Sequence, residues 1–67
     1  MRIVLNGEVR DVAARNLADL ASELGLPERG VAIARNDEIV PRGVWGVTQL
    51  NDGDRVELVS AVQGGAR

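Results

Sequence analysis

The residues best suited to chemistry are the last seven, Ala61-Val62-Gln63-Gly64-Gly65-Ala66-Arg67, where apolar alternation stops and two adjacent glycines follow. Residues without a Cβ are costly to order, yet they can enter a slot too narrow for any other side chain. Such a segment is suited to being held by an enzyme. Glycine-rich ends also arise simply by fraying, so the rest of the chain has to decide what this one is for.

Little else in the chain can do chemistry alone. There is no cysteine, which excludes a disulfide framework, a thiolate metal site and a cysteine nucleophile. There is no histidine, so the usual general base and the commonest metal ligand are missing. Ten carboxylates remain. They are spread along the sequence, mostly in turns and on strand faces expected to meet water. Asn51-Asp52-Gly53-Asp54 resembles a fragment of a calcium loop but lacks the downstream ligand spacing, and reads as a tight turn. All eight basic residues are arginine, the net charge is -2, and Trp45 is the sole aromatic residue. Neither a nucleic-acid footprint nor a base-stacking platform is present. The longest apolar run is Val31-Ala32-Ile33-Ala34, too short to span a membrane, and no signal-peptide pattern opens the chain. The expected location is the cytoplasm.

At 67 residues the chain is one small domain, near the lower limit for a core without staples. Met1, Ile3 and Leu5 alternate with Arg2, Val4 and Asn6, which predicts a half-buried strand. Asn6-Gly7 then suits a two-residue hairpin turn, with a second strand from Glu8 to Val12. From Asn16 the period becomes helical: Leu17, Leu20, Ala21 and Leu24 form one stripe, while Asp19 and Glu23 face water. Asn16 caps the start and Gly25, followed by Leu26-Pro27, ends the helix. A third strand spans Val31 to Arg35, with Val31 and Ile33 inward and Ala32 and Ala34 outward. After Asn36-Asp37 a short strand runs from Glu38 to Val40, closed by Pro41. The stretch from Arg42 to Val47 reads as irregular, with Trp45 covering one end of the core. The last strand starts at Arg55, with Val56 and Leu58 inward and Glu57 and Val59 outward.

A right-handed connection through one helix places the last strand beside the first, in parallel, at the centre of a mixed sheet. This is an α+β fold of the β-grasp, ubiquitin-like kind: five strands with one main helix packed on one face. The folded domain is expected over residues 1–62 and a C-terminal tail over residues 63–67. Extended, Ser60 to Gly65 could reach about 20 Å into a partner's active site. Val4, Ala32, Ala34 and Val59 fall on the face away from the helix and are the expected docking face.

Asn6-Gly7-Glu8, Val40-Pro41-Arg42 with Trp45 three positions on, the Asn51-Asp52-Gly53-Asp54 turn and the final Val62-Gln63-Gly64-Gly65 together resemble the ThiS family. These are the sulfur carriers of thiamine thiazole biosynthesis, and the resemblance covers essentially the whole chain. The Pro-Arg-x-x-Trp element favours this family over the molybdopterin-synthase small subunit, which is similar in fold and tail. The resemblance implies a carrier protein, not an enzyme. Its terminal glycine carboxylate is adenylated by an E1-like adenylyltransferase (ThiF-like), becomes a thiocarboxylate and supplies sulfur to a thiazole synthase (ThiG-like). By position, Gly65 is the reacting residue, Gly64 the narrow spacer, and Gln63 and Val62 the tail contacts. The carrier binds no cofactor or metal; ATP and a sulfur donor are used by the partner enzyme. No nucleic acid or membrane is implied.

The family pattern ends at the second glycine, whereas Ala66-Arg67 follow here. A peptide bond at Gly65 cannot be adenylated, so a native extension would call for a trimming peptidase as a further partner. Three explanations stay open: a native pro-form, residues foreign to the native protein, or a relative that has lost the carrier chemistry. The alternatives in function are a sulfur carrier of the molybdopterin or cysteine type and a ubiquitin-like protein modifier.

Overall fold

The computed structural model describes residues 1–60. The tail residues Val62, Gln63, Gly64 and Gly65, the extension Ala66-Arg67 and the boundary at residue 62 lie outside the described residues. Strand β1 (Arg2–Leu5) and strand β2 (Glu8–Asp11) form the predicted hairpin, in antiparallel register from Arg2 opposite Asp11 to Leu5 opposite Glu8. Asn6 and Gly7 take the positive φ angles of 50° and 84° that this turn demands. Val12 lies just past the end of β2 and is buried. Met1, expected on the core face, is instead 42% exposed. Its ammonium donates to the Val12 carbonyl and its carbonyl accepts the Val12 amide, which holds it at the margin of the sheet beyond β1.

Helix α1 (Leu17–Leu24) has the predicted limits. The Asn16 side chain accepts the Asp19 amide at 2.8 Å, satisfying a donor that the first turn leaves unpaired. Gly25 ends the helix at φ 70°, a conformation in which a Cβ is unfavourable. The apolar stripe is real: Leu17 and Leu20 are fully buried, with Ala21 and Leu24 packed beside them. The Glu23 carboxylate does more than face water. It accepts the Ala13 and Ala14 amides at 3.1 and 2.9 Å, tying the loop after β2 to the helix.

Strands β3 (Val31–Arg35), β4 (Glu38–Val40) and β5 (Arg55–Ser60) complete a five-stranded sheet of order β2-β1-β5-β3-β4. As expected, β5 is parallel to β1, although it is the last strand in the chain, and on its other side it pairs antiparallel with β3. Helix α1 covers one face, and Ile3, Leu5, Val12, Leu17, Leu20, Ile33, Leu50 and Val56 build the core between them. Arg42–Val47, expected to be irregular, is a 3-10 helix. Its sixfold run of residues is too short to show a period in sequence, and it is fixed from outside: Trp45 is buried and its Nε1 donates to the Val40 carbonyl at 2.9 Å. The Arg42 guanidinium lies 4.2 Å from the Trp45 ring centroid and donates to the Pro27 carbonyl, so it joins this segment to the loop after α1.

Candidate functional site

Strand β5 is the last described element before the glycines, and three polar side chains hold it. At its start, Asp54 is 8% exposed and accepts from three donors: the Asn51 amide at 2.8 Å, Arg35 Nε at 3.0 Å and Asn36 Nδ2 at 3.2 Å. Burial alone pulls the Asp54 pKa up. The hydrogen bonds from Asn51 and Asn36 and the charge of Arg35 outweigh that and hold the carboxyl below its ordinary value. Next to it, Asn36 Oδ1 accepts the Arg55 amide at 2.9 Å, so the β3–β4 turn clasps the entry of β5.

Further along, pairing with β1 ends where the hairpin turns. Leu5 is the last β1 residue opposite β5, beside Val56, and the Asn6 amide donates to the Val56 carbonyl. Asn6 Oδ1 then accepts the Leu58 amide at 2.8 Å, substituting for the next residue of a strand that has already turned away. On the other side β3 stays paired through Val31 opposite Ser60. Strand β5 is therefore supported from both sides as far as Leu58 and reaches the threshold of the tail along β3.

On the sheet face away from α1, Ala32 stands opposite Val59, and Ala34 opposite both Glu57 and Ile39. Val4 stands beside Val9 on β2 and Arg55 on β5. The structure thus brings Ala32, Ala34 and Val59 together and sets Val4 apart from them, with Arg55 and Glu57 of β5 between. Val59 is 50% exposed, Val4 and Ala32 are half-buried, and Ala34 is buried between its larger neighbours. Two exposed residues that the sequence reading passed over, Val9 and Ile39, extend the same face at its two edges. Their place in strands of known alternation was the available signal. On the opposite side, a groove of about 540 Å³ runs between the hairpin, the end of α1 and β5, floored by Leu5, Leu24, Leu26 and Leu58. Among the described residues no cluster of three or more metal-ligating side chains occurs, and no helix is long and apolar enough to cross a membrane.

A model of the ThiS family matches residues 3–65, a span that takes in both glycines. The chain belongs to the ThiS family. It is 38% identical over 61 residues to the sulfur carrier protein ThiS of Thermus thermophilus, covering 91% of this chain and 95% of that one. It is also 42% identical over 67 residues to a thiazole synthase of Paramagnetospirillum magneticum, covering 98% of this chain. The chain spans about a fifth of the length of the thiazole synthases it matches, 21% in that case and 20% in one from Magnetococcus marinus. Among solved structures it superposes on a thiamine biosynthesis protein (ThiS) from Geobacter metallireducens with a TM-score of 0.83 at 29% identity, covering 97% of this chain and 100% of that one. The ThiS match establishes the ubiquitin-like β-grasp for this sheet and helix. Within this ThiS domain, the Pro-Arg-x-x-Trp element has a structural place: Pro41 precedes the 3-10 helix, and Arg42 and Trp45 pack on each other.

Proposed function

We propose that this protein is a sulfur carrier for thiamine thiazole formation whose working end is the Gly65 carboxylate, exposed once Ala66-Arg67 are removed. The observation that carries this reading is the extent of the family match, which runs to Gly65 and leaves Ala66 and Arg67 outside it. The names of the relatives support it from both sides, since some are sulfur carriers and others are thiazole synthases containing a region like this one.

A carboxylate is a poor acyl donor. An E1-like adenylyltransferase overcomes this by letting a carboxylate oxygen attack the α-phosphorus of ATP, which expels pyrophosphate and leaves an acyl-adenylate. A sulfide-level nucleophile then attacks the acyl carbon, the bond to AMP breaks, and a thiocarboxylate remains on Gly65 for delivery to a thiazole synthase. The carrier itself supplies no base or nucleophile; ATP and the sulfur donor belong to its partner. Gly64 lets the backbone thread a narrow channel, with Gln63 and Val62 as contacts along it. Ala32, Ala34 and Val59, with Ile39 beside them, form the surface on which the activating enzyme rests. Val4 contributes from the far side of Arg55 and Glu57.

The test is ATP–pyrophosphate exchange with the cognate adenylyltransferase. A form ending at Gly65 is expected to support exchange and the 67-residue form is not. Equal exchange by both would overturn the masking of Gly65. A mass gain of oxygen-to-sulfur replacement on the trimmed form distinguishes sulfur transfer from protein modification, which would instead leave lysine-linked conjugates.

A further inference from the structure

We infer that the free edge of β2 is a self-complementary surface that pairs with β2 of a second copy of this chain. Strand β2 lies at the end of the sheet, and all four of its residues are exposed. Its hydrogen-bonding direction follows from the paired main chains of Met1 and Val12, each donating to the other at 2.8 Å. Amides alternate in direction along an antiparallel strand, so Arg10 and Glu8 also turn theirs to β1. Val9 and Asp11 therefore direct their N–H and C=O groups to the open edge.

Only one register suits two such edges. With Val9 opposite Val9 of the second copy, the two exchange a pair of hydrogen bonds, and Glu8 falls opposite the second copy's Arg10, twice over by symmetry. These flanking positions form non-hydrogen-bonded pairs, whose side chains approach most closely. Neither Glu8 nor Arg10 has a side-chain partner among the described residues, so both are available. The neighbouring registers are disfavoured: Val9 opposite Asp11 puts Arg10 against Arg10, and Asp11 opposite itself puts two carboxylates together. Val9, 63% exposed on the monomer, gains a valine neighbour on the same face.

The other sheet edge offers no such match. Strand β4 has three residues, is followed at once by Pro41 and carries Glu38 without a basic residue on the same strand. Pairing through β2 makes a continuous ten-stranded sheet in which the two β5 strands run in opposite directions. The two Ser60 ends of β5 then lie on opposite sides of the joined sheet.

The edge is only four residues long, so the contact is far smaller than the roughly 1,200 Å² of a stable complex, and association belongs near about 1 mM protein. Translational diffusion measured by NMR should slow towards that of a doubled mass as concentration rises, with the Val9 and Asp11 amide resonances moving together. Glu8→Arg and Arg10→Glu should each stay monomeric, and an equimolar mixture of the two should associate, because it restores both opposite-charge pairs. Circular dichroism checks that each variant is folded, and Val9→Asp serves as a further variant that places two carboxylates face to face. Diffusion of the unaltered chain that does not change with concentration would overturn the proposal. So would single charge variants that associate as well as the unaltered chain, or a mixture that stays monomeric.

Discussion

Asn6 and Leu58 lie 52 positions apart in the chain and are joined by one hydrogen bond, the Leu58 amide donating to Asn6 Oδ1 at 2.8 Å. The residue that turns the first hairpin thereby fixes the strand that leads into the tail. One side chain links the two ends of the sequence because it answers both demands at once: a positive φ, and an acceptor aimed sideways at β5.

Replacing Asn6 separates these roles. Asn6→Gly keeps the turn and removes the acceptor, and should cost about 1 kcal/mol in urea unfolding. Asn6→Ala adds backbone strain and should cost about 1 kcal/mol more. In both, amide exchange at Leu58 should accelerate while exchange at the buried end of β5 changes less. Equal protection of Leu58 in Asn6→Gly and the unaltered chain would show that the bond contributes nothing.

Asp54 predicts a pH dependence with a definite sign. Its folded pKa lies below the ordinary 3.8, so its stabilisation is complete above that value. It is lost as pH falls from there through the folded pKa. Asp54→Asn cannot charge, so its unfolding free energy should lack this acid-side component. It should also lie lower at neutral pH by about 2 kcal/mol, because Arg35 loses its charged partner. Thermal melts of both proteins between neutral pH and strongly acidic conditions check this; parallel curves would be the contrary result.

The proposed docking surface for an activating enzyme is tested at Val59, half exposed and opposite Ala32. Val59→Asp should weaken binding by about tenfold, equivalent to about 1.4 kcal/mol, with the circular dichroism spectrum unchanged. A control at Val47, exposed on the 3-10 helix and away from this face, should leave binding intact. Isothermal titration with the adenylyltransferase reads both.

Much of the fold was legible because its signals are local. Asn6-Gly7 states its own turn type, Asn16 and Gly25 bracket α1, and right-handed crossover geometry placed β5 beside β1. What escaped depends on partners distant in sequence. Asp54 reads as one more turn carboxylate until Arg35 and Asn36 are brought to it from the β3–β4 hairpin. The helical form of Arg42–Val47 rests on Trp45 reaching Val40, and Glu23 looked solvated because the Ala13 and Ala14 amides it captures lie across a loop. On the proposed docking face, alternation assigned Val4, Ala32, Ala34 and Val59 to one side. It could not reveal that Arg55 and Glu57 divide them.

The central position of β5 also bears on how the molecule is made. Strands β1 and β3 do not pair with each other, and each pairs with β5. While a ribosome is still synthesising the chain, the two halves of the sheet have nothing between them, and they join only when residues 55–60 arrive. The last stretch translated before the glycines is the one that closes the sheet. A chain that stops short of Arg55 would therefore lack the finished sheet as well as the proposed reacting residue, Gly65.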